Sequence, residues 1–234
     1  MIRSRIRSFW RKGAVQPAGA VEDTPYGALW RPRTKKEAMG LILNEKDSAA
    51  FESSGRKQAE ETVCPLVGPT DTVLDLGCGI GRVARYVAAC CGTLWAVDAS
   101  ERMLELARER MNGIPNVRFA VCRGTSIPDV PSGSVDMAYS ILTLQHLEKE
   151  DAFQLLREVR RILRPGGSAY FTFPNLLTDE YLSSFLEYVD SGEVKNPARA
   201  RFYTPEEVGR LLPAAGFEIL ELAAGVEIEA TCRV

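Results

Sequence analysis

This sequence predicts an α/β fold, a mostly parallel β-sheet with helices on both faces. Three observations carry that expectation. From residue 72 onward, short β-branched or apolar runs alternate with helical segments of roughly 10–15 residues, the signature of βαβ units. A glycine-rich turn, Gly77-Cys78-Gly79-Ile80-Gly81, sits between the first such strand and the helical segment after it. The chain has 234 residues, 45% apolar and 26% charged, which suits one such domain with additions.

In order along the chain, residues 1–25 read as a tail. Ile2, Ile6, Phe9 and Trp10 recur at helical spacing, with Arg3, Arg5, Arg7, Arg11 and Lys12 between them. Residues 1–12 therefore suit either a solvated extension or a basic amphipathic segment lying on an anionic membrane or a partner. The Arg-rich, acid-free start also has a faint likeness to an organelle transit peptide. Gln16-Pro17-Ala18-Gly19-Ala20 reads as a linker. The chain divides into residues 1–44, a basic tail and cap segment, and residues 45–234, the α/β domain. Residues 45–63 are mostly helical in character. Thr72–Leu76 reads as a buried strand, Arg82–Cys91 as a helix, and Thr93–Val97 as a strand. Ser100–Asn112 reads as a helix capped by Ser100, with Met103, Leu104, Ala107 and Met111 as its apolar stripe. Val117–Val121 and Val135–Ile141 are strands, and Lys149–Leu163 is a helix that Arg164-Pro165-Gly166-Gly167 breaks before the strand Ser168–Phe173. The rhythm then changes. Residues 175–202 form an insertion with Leu182, Phe185, Leu186 and Val189 on one side of helical pieces. Thr204-Pro205-Glu206-Glu207 opens a helix, with Thr204 as cap, Pro205 in the first turn and Glu207 closing a capping box. That helix stops at Gly216, and Phe217–Leu222 and Val226–Cys232 are two closing strands.

Composition excludes several classes. No apolar run approaches the roughly 20 residues that span a bilayer, and the N-terminus lacks the apolar core of a secretory signal. Cys64, Cys78, Cys90, Cys91, Cys122 and Cys232 form no C-x-x-C pair, so they read as buried thiols in a reducing, cytoplasmic setting rather than as a disulfide framework or a zinc site. His146 is the one histidine, which leaves no His-rich metal centre. The net charge of −2 is uneven: residues 1–40 carry +6 and the rest −8. An acidic domain disfavours a phosphate-backbone track, so a nucleic-acid partner is not expected.

The glycine turn discriminates between nucleoside ligands. It is G-x-G-x-G, with Arg82 where the third glycine of a dinucleotide-type G-x-G-x-x-G would fall. Asp75 precedes the first glycine by two residues. Asp98 ends the next strand, 17 residues after Gly81, where a carboxylate can hold both ribose hydroxyls. Val73-Leu74-Asp75-Leu76-Gly77-Cys78-Gly79-Ile80-Gly81-Arg82 resembles the first motif of class I S-adenosylmethionine-dependent methyltransferases of the UbiE type. The resemblance continues through Val97-Asp98-Ala99-Ser100, Gly133-Ser134-Val135-Asp136, Leu163-Arg164-Pro165-Gly166-Gly167, Phe202-Tyr203-Thr204-Pro205-Glu206-Glu207 and Ala215-Gly216-Phe217, and so covers roughly residues 45–225.

The resemblance implies a Rossmann-like sheet of seven strands, mostly parallel with the last antiparallel, and S-adenosyl-L-methionine as cofactor, leaving S-adenosyl-L-homocysteine, with no metal. It implies that the backbone of Gly77, Cys78, Gly79 and Gly81 passes beside the methionine moiety, with Asp75 near its ammonium. Asp98 would take the ribose hydroxyls, Ala99 and Met103 would flank the adenine, and Gly124, Thr125 and Ser126 would meet the adenine's other edge. The family usually has an aspartate where this chain has Thr125. Arg82 and Ser140 complete the expected cofactor set, and Arg56 is placed to pair with the cofactor carboxylate. Asp136, at the far end of its strand, reads as structural.

Methyl transfer is a displacement at carbon that chiefly needs the nucleophile held in line with the methyl, with a base only where the nucleophile must lose a proton. His146, near the crevice, suits either a general base or a helix-start histidine bonded to backbone. Residues 175–202 and the segment from Tyr26 to Phe51 are expected to cover the acceptor, with Trp30, Thr143, Tyr181, Phe185 and Tyr203 against it. The fourth strand ends in Ser140-Ile141-Leu142-Thr143, unlike the N/D-P-P-Y/F of amino-methylating nucleic-acid enzymes. A small-molecule acceptor, methylated at oxygen, fits best. Two alternatives stay open: an NAD(P)-binding oxidoreductase, and a module that binds S-adenosylmethionine without turnover.

Overall fold

The computed structural model describes residues 25–43, 45, 47–192 and 198–234. The basic segment 1–12, with its expected membrane contact, lies outside them. The sheet has seven strands: β1 Thr72–Leu76, β2 Thr93–Asp98, β3 Val117–Val121, β4 Val135–Ser140, β5 Leu163–Pro174, β6 Glu218–Ala224 and β7 Glu227–Arg233. Their spatial order is β3-β2-β1-β4-β5-β7-β6. β7 runs antiparallel to both β5 and β6, and the other pairs are parallel, as the sequence predicts. The chain winds outward one way from β1 and then returns to lay β4 on its other side, which opens a crevice beyond the strand ends at that switch.

Among the described residues eight α-helices surround the sheet: α1 Pro25–Leu29, α2 Lys35–Leu43, α3 Ser48–Gln58, α4 Ala84–Val87, α5 Glu101–Arg110, α6 Lys149–Ile162, α7 Asp179–Asp190 and α8 Pro205–Ala214. Each strand side chain alternates between two cores. Leu74 and Leu76 of β1 pack with Leu155, Leu156, Val159 and Ile162 of α6 and Val208 and Leu212 of α8. Val73 packs on the other face with Val87 of α4 and Leu104 and Ala107 of α5. A third cluster joins Ala38 and Met39 of α2 and Phe51 of α3 to Ile80, Met103 and Leu106, so the segment before the sheet is packed onto it.

The caps form where polar side chains precede apolar stripes. Ser100 Oγ accepts from Met103 N at 3.2 Å, and Thr204 and Glu207 make a reciprocal capping box. Three details correct the sequence reading. The segment Arg82–Cys91 keeps α-helical geometry only over α4, because its ends tighten into three-residue turns (Tyr86 N to Val83 O, Cys90 N to Val87 O). Arg164–Gly167 ends α6 but does not delay the strand: Leu163 already pairs with Val135, and Gly166 and Gly167 bond Val234. Cys64 and Cys90 form a disulfide with Cα atoms 5.8 Å apart, joining the turn after α3 to the turn after α4, while Cys78, Cys91, Cys122 and Cys232 are buried free thiols. Among the described residues, no helix is long and apolar enough to cross a membrane.

Candidate active site

β1 ends in Asp75-Leu76 and turns at once through Gly77, whose φ of +81° belongs to the left-handed region that glycine enters without cost. The turn is stapled to the neighbouring strand. The N–H groups of Gly77 and Cys78 donate to Val97 O at 2.7 and 2.9 Å, and Gly79 N donates to Asp98 Oδ2 at 2.8 Å. Asp98 Oδ1 accepts from Ser100 N at 2.8 Å, so this carboxylate orders both the glycine turn and the start of α5. The loop thus places its backbone along the mouth of the crevice between β1 and β4.

That crevice is an open cleft whose empty space, open solvent included, is about 880 Å³. Asp75, Gly77, Cys78, Gly79, Arg82, Asp98, Ala99 and Met103 line it. Trp30, Thr143 and His146 line it too, joined by Tyr26, Ile42 and Leu142. Asp75 is 4% exposed, and removal from water pushes its carboxyl up to about 7; the hydrogen bond from Tyr139 and the charge of Arg82 pull it down, and Asp98 pushes it up. Burial likewise raises Asp98 to about 6, against the N–H groups of Ser100, Gly79 and Ala99. Arg82 is 6% exposed, and burial lowers its pKa, with the charge of Asp75 acting in the opposite direction. Its guanidinium bonds Gln58 and, at 3.4 Å, Ser54 of α3.

His146 sits in a short turn, Leu144–His146, after β4. Its Nδ1 lies 2.9 Å from Ala198 O, which fixes Nδ1 as the protonated nitrogen of the neutral ring and leaves Nε2 a lone pair. Burial lowers its pKa, the backbone bond raises it, and Arg201 lowers it. The ring packs edge-on against Trp30, with centroids 4.8 Å apart. Arg201 supports the turn from behind, donating to His146 O at 3.2 Å and pairing with Glu148.

Several expected site residues stand elsewhere. Arg56 lies over the Tyr86 ring at 5.3 Å and does not line the cleft; Arg82, the residue directly after Gly81, is the arginine that does. Gly81 packs against Met111 instead, since a Cβ there would come 2.8 Å from Met111 Cε. Ser140 is fully buried and donates to Leu76 O at 3.0 Å, tying β4 to β1. Gly124, Thr125 and Ser126 form a tight turn closed by Arg123 N to Ser126 O and do not reach the cleft. Tyr181 and Phe185 gather with Tyr188 around Phe202, at 5.7, 6.2 and 5.9 Å, while Leu182, Leu186 and Val189 of α7 stay exposed. Tyr203 is in the core against Phe173. Asp136 accepts from Thr72 N at 2.7 Å and pairs with Arg164, away from the cleft. Tyr26 and Ile42 come from the segment Tyr26–Phe51 expected as cover, though not singled out within it, and sequence reasoning missed Tyr139 and Leu142. Leu142 has a φ of +57°, rare for a branched residue, and its N–H is held by Thr172 Oγ1 at 3.1 Å.

The donor set suits an amino-acid-bearing nucleoside: acids for an ammonium and for ribose hydroxyls, an arginine for a carboxylate, and Ala99 and Met103 for a flat base. Among the described residues there is no group of three or more His, Cys, Asp or Glu able to hold a metal.

Comparison with known proteins points the same way. A family model described as a methyltransferase domain matches residues 73–167. The demethylmenaquinone methyltransferase of Tropheryma whipplei is 30% identical over 131 residues, 54% of this chain and 53% of that protein. The ubiquinone biosynthesis O-methyltransferase of Thiobacillus denitrificans is 28% identical over 170 residues, 69% of this chain and 70% of that one. Other relatives are named as N- or C-methyltransferases. The chain spans about half the length of the first curated relatives it matches. A crystal structure of an S-adenosylmethionine-dependent methyltransferase from Aquifex aeolicus, 19% identical, shares the fold with a TM-score of 0.60 over 81% of this chain and all of its own. The chain thus carries a methyltransferase domain over residues 73–167, and in sequence and fold it is similar to S-adenosylmethionine-dependent methyltransferases.

Proposed function

We propose that this chain transfers a methyl group from S-adenosylmethionine to a hydroxyl of a small organic acceptor. One observation carries the reading: Asp75, Asp98 and Arg82 share a single cleft with an apolar wall of Tyr26, Trp30, Ile42 and Leu142. The charged groups suit the donor, and the apolar lining suits an uncharged or aromatic acceptor. When bound, the donor supplies a methyl on a sulfonium, already a good leaving group.

In this reading Asp75 faces the donor's ammonium, Arg82 its carboxylate, Asp98 the ribose hydroxyls, and Ala99 and Met103 the adenine. The acceptor lies against Trp30, Thr143 and His146. His146 enters the reaction neutral, because burial lowers its pKa, and its Nε2 takes the hydroxyl proton as the oxygen attacks. The protein's larger contribution is to fix the acceptor oxygen in line with the methyl and keep water out. The same reading treats residues 175–202 as a cover over the acceptor side and residues 1–44 as tail and cap.

The test is turnover. The enzyme is incubated with S-adenosylmethionine and a panel of phenols, alcohols, amines and thiols of similar apolar bulk, and S-adenosylhomocysteine is quantified. The reading expects release with hydroxyl acceptors and about 10²-fold slower turnover in His146→Ala. Normal turnover in His146→Ala removes the base, and release only with amines moves the acceptor atom from oxygen to nitrogen.

A further inference from the structure

The cleft's buried acid has a partner outside the glycine loop. In the parallel β1–β4 pair, Asp75 and Tyr139 are Cα partners, so their side chains leave the sheet on the same face and side by side. Tyr139 Oη donates to Asp75 Oδ2 at 2.8 Å. Tyr139 is 1% exposed and Asp75 is 4% exposed, and both line the cleft. Neither is spent on packing alone: a phenylalanine would fill the same space at 139, and the hydroxyl is aimed at one oxygen of one carboxylate.

We propose that Tyr139 is a positioning residue of the cofactor site: its phenol occupies one oxygen of Asp75, so that the carboxylate keeps its charge and offers its other oxygen to the amino group of a bound S-adenosyl ligand. The inference rests on the cofactor reading above and goes beyond it in assigning what holds Asp75 ready. A buried carboxylate without a donor loses its charge, since removal from water disfavours the ionised form. Four groups face Asp75. Tyr139 on β4 stabilises its charge through the hydrogen bond, and Arg82 beyond the glycine turn does so through space. Asp98 at the end of β2 opposes it. Cys78 within the turn is a neutral thiol, its ionisation disfavoured first by burial and then by both aspartates. Removing the phenol oxygen therefore shifts the ionisation of Asp75 upward without adding or deleting a formal charge near neutral pH.

The experiment is calorimetric titration of S-adenosylhomocysteine into the wild-type chain, Tyr139→Phe and Asp75→Asn at pH values from about 5.5 to 8.5. In parallel, 5′-methylthioadenosine, which lacks the amino-acid head, is titrated into the same proteins. Wild-type affinity for the homocysteine is expected to rise with pH as Asp75 ionises. Tyr139→Phe is expected to bind it about tenfold more weakly near pH 7, converging on wild type by about pH 8.5, with the midpoint displaced upward. Asp75→Asn is expected to be weak and flat across the range. Methylthioadenosine affinity is expected to be equal in wild type and Tyr139→Phe. An equal loss in Tyr139→Phe at every pH, a loss extending to methylthioadenosine, or no loss at all overturns the proposal. Replacing Tyr139 with a fluorotyrosine, a stronger donor of nearly the same shape, tests it independently of how Tyr139→Phe folds: the midpoint moves downward if the proposal holds and stays in place if it does not. A wild-type chain that binds neither ligand at any pH overturns the cofactor reading itself, whereas wild-type binding with an unshifted Tyr139→Phe overturns only the role of Tyr139.

Discussion

Asp75 stands from 3.8 to about 7 because its carboxyl is out of water, and that has a measurable sign in the ligand-free protein. An acid raised on folding keeps a proton that the unfolded chain has lost, so stability falls as pH climbs from about 4 to about 7. Asp98, raised to about 6, acts in the same direction over a narrower window. His146 acts the other way: lowered by burial, it refuses a proton that the unfolded chain accepts, so its contribution is lost as pH falls below about 6.5. Asp75→Asn separates these, since it abolishes only the first. Thermal melts are expected to show the variant gaining Tm on wild type at about pH 7.5 and gaining less at about pH 5; an equal shift at both excludes burial as the cause. Gly77 is the second residue whose chemistry is forced. Its φ is +81° and a Cβ would lie 2.1 Å from Thr143 Oγ1, so Gly77→Ala is expected to cost more than about 2 kcal/mol. Pairing it with Thr143→Ala removes the two closest contacts but leaves the Cβ of residue 143 at 2.6 Å and the backbone strain, and chemical denaturation is expected to show partial recovery only. At this scale Gly77, Asp75 and Asp98 were legible because the loop between strand and helix leaves little choice of residue. Tyr139 was not, because it depends on which strand lies beside β1 and in what register.

Elements carry the site through contacts with no local sequence signal. α3 approaches the glycine turn so closely that a Cβ on Gly55 would lie 2.2 Å from Arg82 O, and α3 also supplies Ser54 and Gln58 to the Arg82 guanidinium. Gly55→Ala is therefore expected to push α3 away, lower Tm by several degrees and weaken S-adenosylhomocysteine binding together, read by melts and calorimetry on the same sample. A loss of stability with unchanged binding contradicts the link between α3 and Arg82. The helices and strands themselves were readable: the stripe on α5, the capping box of α8 and the β-branched run of β1 are local patterns, and each formed. The residues expected against the acceptor were readable in part. Trp30 and Thr143 reached the cleft, whereas Tyr181 and Phe185 of α7 found Phe202. Aromatic spacing on a helix gives its apolar face, and tertiary packing decides what that face meets.

For the whole molecule, the cysteines mark the limit of a sequence reading. Cys64 and Cys90 are 26 residues apart with no pairing motif, and only the meeting of two turns brings them together. Alkylation after denaturation without reductant is expected to label four of the six cysteines, and all six with reductant. Reduction is expected to remove about 3 kcal/mol of stability through the loop it opens. Six labelled thiols without reductant contradict the pairing. The topology, by contrast, was legible from the order of elements, because alternating strands and helices admit few sheets and right-handed crossovers prune them further. That topology puts a cleft at the β1–β4 switch, and the central claim is that the cleft is built for an S-adenosyl ligand rather than a dinucleotide. Calorimetric titration of the intact chain with S-adenosylhomocysteine and, separately, with NADH tests it most directly. The account predicts saturable one-to-one binding of the homocysteine, abolished in Asp98→Ala, and no binding of NADH; tight NADH binding with none for the homocysteine would contradict it.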